Sequence, residues 1–222
     1  MFGRATTGAE AVVLLCEQGF GREAMLLSRA IHELMIDAYW ASVDLGRTEE
    51  MIVKHARWDR ERRLDLAEDH DLPERPSGAQ RIGEDERRSL DKIFRRASGS
   101  WTGRRLNERL DDLEPRLGTE RTNEFRRVTA VFTAANNAEI HPGPLSLARG
   151  IRAVPHHETR RMVQFHSEKE PALCEPAVDN TWWAYVNLLD LVDEVFGPLP
   201  GSVRASVEEG GAAFGAPGPQ PG

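Results

Sequence analysis

The sequence predicts an all-α fold, a single-domain bundle of six or seven helices. Three observations lead there. The stretch Leu26–Trp40 is apolar on nearly every side when wound as a helix, as expected of a helix at the centre of a bundle. Apolar residues recur at helical spacing along most of the chain, between Ser, Thr, Gly and Pro residues that start or stop helices. Strand-like patterning is confined to a short region near 150–166, with room for one small β-hairpin.

In chain order, Thr7 and Glu10 have capping-box spacing, and the apolar run Ala11–Cys16 follows, which predicts a first helix to about Gln18. Gly19-Phe20-Gly21 breaks it. The central helix runs from Arg22 to about Ser42, with Leu27, Ile31, Leu34 and Ala38 on one stripe and Met25, Met35 and Tyr39 on another. A third stripe, Leu26, Ile36 and Trp40, also holds Arg29 and Glu33, an ion pair that requires a partner or solvent if it is buried. Thr48-Glu49-Glu50 opens the next helix, with Met51, Ile52, Trp58 and Leu66 apolar and a charged opposite face. The Pro- and Gly-containing stretch 71–78 is a loop, and a helix from between Ser77 and Gln80 to about Ala97 follows it. After a loop at 98–103, where Trp101 is expected to pack inward, a short helix spans about 104–113. Thr119 caps a long helix with Phe125, Val128, Phe132 and Ala135 in step, ended at His141 by Pro142-Gly143-Pro144. Ile151–Val154 and Met162–Phe165 are the two short strands. The last helix contains Pro176 in its first turn, carries Trp182, Trp183, Tyr185 and Leu188, and stops at Gly197-Pro198. Residues 1–200 are thus expected to form the domain and 201–222 a disordered Gly/Pro-rich tail.

Composition narrows the function. The net charge of -7 leaves no overall basic footprint for nucleic acid, and only three of the 29 basic residues are lysine. No apolar run reaches the roughly 18 residues of a membrane span, and the N-terminus lacks a signal-peptide pattern. A cytoplasmic protein is expected, with no membrane association. The two cysteines, Cys16 and Cys174, lie in apolar company without CxxC spacing and read as buried thiols rather than a disulfide or metal pair.

Several patterns bear on chemistry. Gly19-Phe20-Gly21-Arg22-Glu23-Ala24 matches G-x-G-x-x-A, with Asp44 near the place of a ribose-binding acid. The charged helical stretch 47–115 leaves no strands for a dinucleotide-binding sheet, so the glycines read as a helix break and no cofactor is expected. His156, His157, Glu158 and His166 read as solvated loop residues, and no metal is expected. An alternative reading is a HEPN-like RNA-cleaving toxin or phage-defence effector, a helical class with an Arg-x(4–6)-His motif. Arg152 to His157 and Arg149 to His156 fit that spacing, but Ala153 and Gly150 replace the polar residue after the arginine and Pro155 interrupts the helix. Only that alternative brings in nucleic acid. The remaining candidate is a polar cluster of Arg29, Glu33 and His141, Arg29 and Glu33 being one helical turn apart. It is expected to be a buried tie between two core helices.

Three segments together resemble domain-of-unknown-function family 5677, a bacterial group of all-helical proteins without an established activity. Ser28-Arg29-Ala30-Ile31-His32-Glu33 with Tyr39 is similar to that family's Arg-Ser-x-x-Glu helix. Ser100-Trp101-Thr102-Gly103-Arg104 resembles its Trp-Ser-Gly-Lys/Arg loop, and Phe132 through His141-Pro142 its Tyr-x-x-x-Ser-x-x-x-His-Pro helix end. The resemblance spans about residues 12–196. His32 stands where the family has Phe, and Asn136-Asn137 near its Ser. It implies the helical fold and the polar cluster, but no reaction. The function expected is that of a non-catalytic protein acting through a partner or self-association. The Trp182-Trp183 helix is one docking candidate, though core packing suits those rings better.

Overall fold

A computed structural model describes residues 2–70, 81–140, 151–154, 162–165 and 170–198, together with 200, 201, 205 and 209; side chains are described through Phe132 in the long helix and not in the strands. The fold is all-α, with six α-helices among the described residues: α1 (Phe2–Glu17), α2 (Gly21–Val43), α3 (Leu45–Asp69), α4 (Glu84–Arg96), α5 (Leu106–Ile140) and α6 (Cys174–Phe196). A 3-10 turn, Pro171–Leu173, leads into α6. Strands β1 (Ile151–Val154) and β2 (Met162–Phe165) pair antiparallel, with Ile151 opposite Phe165 and Val154 opposite Met162. The predicted loop 71–78 lies outside the described residues. So does most of the predicted tail, where Gly201, Ala205 and Glu209 have helical backbone.

Helix ends follow from local backbone chemistry. α1 stops in a Schellman motif: Gly19 takes φ 80°, its N–H donates to Cys16 O at 2.9 Å, and the N–H of Phe20 donates to Leu15 O at 2.8 Å. The glycine pair is therefore a helix stop. Its N-terminal boundary differs from expectation, because α1 begins at Phe2 and Thr7 lies within it. The Thr7 hydroxyl donates back to Gly3 O at 3.1 Å, the mid-helix alternative to capping. α3 begins three residues before Thr48, with Asp44 as its N-cap: the Asp44 carboxylate accepts from Arg47 N at 2.9 Å. The residue near the place of a ribose-binding acid thus serves as a helix cap. α4 is shorter than predicted, starting after Gly83 and ending in a second Schellman motif in which Gly99 N–H reaches Phe94 O at 2.8 Å. The predicted short and long helices meet in α5, whose backbone leaves helical geometry at Gly118 (φ 77°, ψ 160°), three residues after Pro115.

The chain divides into two compact units, Met1–Met35 with Asn123–Gly222, and Ile36–Thr122. The boundaries fall inside α2 and α5. In the first unit α1 packs along α6, where Phe2 stacks near Tyr185 with centroids 5.5 Å apart and Thr6 and Tyr185 hydroxyls meet at 3.3 Å. Val12, Met25, Ile31, Met35, Phe125, Phe132 and Leu188 are among its buried side chains. Gly21 starts α2 because nothing larger fits: a Cβ there would lie 2.2 Å from Glu170 O and 2.9 Å from Cys174 N. Gly21→Ala is expected to cost on the order of 1–3 kcal/mol by overpacking, read by urea unfolding. Gly3→Ala, where a Cβ meets nothing within 4 Å, should leave stability unchanged or slightly raised.

In the second unit Trp58, Leu90 and Phe94 form a core between α3 and α4, with Met51, Ile82 and Ile93 packed on it. Glu61, buried against this core, accepts from Arg81 at 3.1 Å and from Ile82 N at 3.2 Å. Arg81 also reaches Glu68 and Asp65, so the hydrogen bonds it donates to three carboxylates, Glu68 foremost, hold its guanidinium above its ordinary pKa.

Candidate functional site

The residues singled out in the sequence centre on α2, and the structure separates three polar groups along it. The first is the Arg29–Glu33 pair. Arg29 Nε donates to Glu33 at 2.8 Å across one turn, as their spacing predicts. The pair is not buried: its side chains are 27% and 37% exposed. Solvent therefore meets part of the charge, and no third partner is required by desolvation. His141, the proposed third member, lies outside the described residues.

The buried polar side chains of this part of α2 are instead its neighbours Ser28 and His32. The His32 ring sits between Phe132 and Trp183, with centroids 5.2 and 5.7 Å away. Its Nε2 lies 2.9 Å from Thr129 Oγ1. Thr129 donates its own hydroxyl proton to Phe125 O at 2.8 Å, so it accepts from His32, which fixes the neutral Nε2–H tautomer. Burial pushes the imidazole down to about 4. His32 is thus a neutral aromatic residue at working pH. An apolar ring is what its two aromatic neighbours, Phe132 and Trp183, favour at this position.

The third group belongs to the second unit and was missed by sequence reasoning. Asp37 accepts a charge-assisted hydrogen bond from Arg109, and both side chains are nearly enclosed, 14% and 7% exposed. The indole of Trp101 donates to the other Asp37 oxygen at 2.8 Å, and its ring meets Trp40 edge-on. This gives the loop at 98–103 its role: Trp101 packs inward, as predicted, and supplies a donor to a buried carboxylate. Gly103 (φ 66°) is required there, since a Cβ would lie 2.6 Å from Met51 Cε and 2.7 Å from Ile93 Cγ2.

The same device recurs. Trp40 donates to Asp112 at 2.9 Å, Trp58 to Asp91 at 2.8 Å and Trp183 to Glu124 at 2.9 Å. With Trp101, four of the five tryptophans give their N–H to a carboxylate. Burial pushes the Asp91 carboxyl up, but bonds from Trp58 and Arg95 outweigh it and hold the group below its ordinary value. Trp183, bonded to Glu124 and edge-on to Phe125, is engaged within its own unit.

A cleft of about 480 Å³ opens beside Trp58, lined by Arg62, Arg95, Ser98 and Gly99. Arg62 lies over the Trp58 ring at 4.8 Å, and Arg95 is bonded to Asp91 at 3.0 Å. None of the residues proposed from the sequence lines it. For the ribonuclease alternative, Arg152 falls on β1 opposite Gln164 rather than on a helix. His157 and the Arg152 side chain lie outside the described residues, as do Arg149, His156, Glu158 and His166. Among the described residues no three His, Cys, Asp or Glu side chains meet as a metal-ligand set, and no helix is long and apolar enough to cross a membrane.

Comparison with curated proteins found no match, and comparison with solved structures found none. A family model does match, over residues 1–154, which takes in α1 to α5 and β1 but stops short of α6 and of the longer span suggested by the motifs. It covers the Arg29–Glu33 helix, the Trp101 loop and His141 alike. The chain belongs to the family of unknown function DUF5677.

Proposed function

We propose that the chain is a non-catalytic binding protein and that the outer face of α3 joins it to a second copy of itself. The observation that supports this is an exposed apolar stripe: Leu45, Ile52 and Val53 are 68%, 50% and 48% exposed, and the exposed Ala56 follows in step. Positions 45, 52, 53 and 56 fall on one face of a helix, opposite the buried Trp58. Glu49 and Arg60 lie on that same face, toward its two ends. Two copies related by a two-fold axis, with their α3 helices antiparallel, place Glu49 of each against Arg60 of the other. Within its own chain Arg60 also lies 3.8 Å from Glu61.

The carboxylates that meet Trp40, Trp58, Trp101 and Trp183 support the non-catalytic half of the reading, since each is committed to a structural donor. Arg29, Glu33 and His141 stand in it as a structural tie. Sedimentation of the wild-type chain is expected to show a concentration-dependent dimer, and Ile52→Glu combined with Val53→Glu a monomer of unchanged helicity. A wild-type chain that stays monomeric at all concentrations would overturn the self-association. Cleavage of total RNA by the pure protein, lost in His157→Ala, would overturn the non-catalytic reading in favour of the ribonuclease.

A further inference from the structure

The chain has two cysteines, 158 residues apart, and the fold puts them side by side. Cys16 is in the last turn of α1 and Cys174 is the first residue of α6, both within the first unit. The Cys16 thiol donates to Cys174 O at 3.5 Å and the Cys174 thiol donates to Cys16 O at 3.6 Å. The contact is reciprocal, so each sulfur lies against the other residue's backbone. The start of α2 holds it closed, because Gly21 lies so close to Cys174 N that a side chain would not fit between them. Both thiols are free and half-buried, which leaves them open to a small reagent.

We propose that Cys16 and Cys174 form a dithiol modification site, which a low-molecular-weight disulfide such as oxidised glutathione converts to an intramolecular disulfide joining α1 to α6. One cysteine thiolate attacks a glutathione sulfur, forming a mixed disulfide and expelling one glutathione thiolate. The second cysteine thiolate then attacks the protein sulfur of that mixed disulfide and expels the second glutathione. The protein loses two protons and two electrons, and oxidised glutathione gains them as two thiols. Burial, then the hydrogen bond and charge of Cys174, push the Cys16 thiol up to about 12. The exchange is therefore slow near neutrality and speeds up as pH rises, since the thiolate is the reacting form.

The test is to incubate the full chain with oxidised glutathione at mildly alkaline pH and read its intact mass without reductant, followed by peptide mapping. A mass lower by two hydrogens, with the Cys16 and Cys174 peptides cross-linked and no thiol left to alkylate, is expected. Cys16→Ser and Cys174→Ser should each stop at the glutathione adduct. If either variant fails to fold, the peptide map of the unsubstituted chain decides alone. Recovery of only glutathione adducts, of disulfide-linked dimers, or of two alkylatable thiols after incubation would overturn the proposal.

Discussion

Arg109→Ala is expected to destabilise the protein by about 3–5 kcal/mol, the cost of leaving a buried carboxylate without its counter-charge. Asp37 would keep only the Trp101 indole, a neutral donor, while its side chain remains 14% exposed. The reverse change, Asp37→Ala, removes the carboxylate bonded to an arginine whose side chain is 7% exposed, and should also destabilise the protein. Removing both charges tells a different story. Asp37→Leu with Arg109→Met keeps volume and removes both desolvation penalties, so the double variant should recover most of the lost stability. Urea unfolding of the four proteins measures the cycle. A loss under about 1 kcal/mol for Arg109→Ala, the range of an exposed pair, would mean that solvent reaches this pair, and the buried tie would be refuted.

The difference between Arg29–Glu33 and Asp37–Arg109 shows what the sequence could and could not disclose. Helical periodicity identified α2, and it marked a charged pair on an otherwise apolar rod. Arg29 and Glu33 are neighbours on one helix, so their bond was legible from spacing alone. Asp37 and Arg109 are 72 residues apart. Periodicity gives the face on which each lies but not which faces meet, so the deeper pair was invisible. Its signal was indirect, in a Trp-containing loop that resembles a family motif and turns out to aim an indole at Asp37. Helix stops were read well where a glycine must take positive φ, as at Gly19 and Gly197. Starts were read less well. Thr7 has capping chemistry but bonds within α1, whereas Asp44, weighed for a ligand, caps α3. A short polar side chain serves either role, and the fold around it decides.

His32 offers the second large effect, and its sign follows from burial. The imidazole titrates near 4 in the folded protein and near 6.5 in the unfolded chain. Above pH 6.5 both states hold it neutral and its contribution is at its full value. As pH falls from 6.5 toward 4, the unfolded chain takes up a proton that the folded one refuses, and stability drops by about 1.4 kcal/mol per pH unit. The loss reaches about 3 kcal/mol by the time the folded imidazole is itself protonated. Asp91 and Glu108, whose carboxyls are held below their ordinary values, add acid sensitivity at the lower end of that range. A reference variant is therefore needed. His32→Phe places an apolar ring against Phe132 and Trp183. It also leaves the Thr129 hydroxyl donating to Phe125 O, so it removes the titration at little packing cost. The quantity to measure is the unfolding free energy of the wild type minus that of His32→Phe, from urea titrations between pH 7 and 4. Carboxylate contributions cancel in the difference, which should fall by about 3 kcal/mol over that interval. A difference independent of pH would show that the His32 ring exchanges protons freely in the folded state, and would remove it from the core.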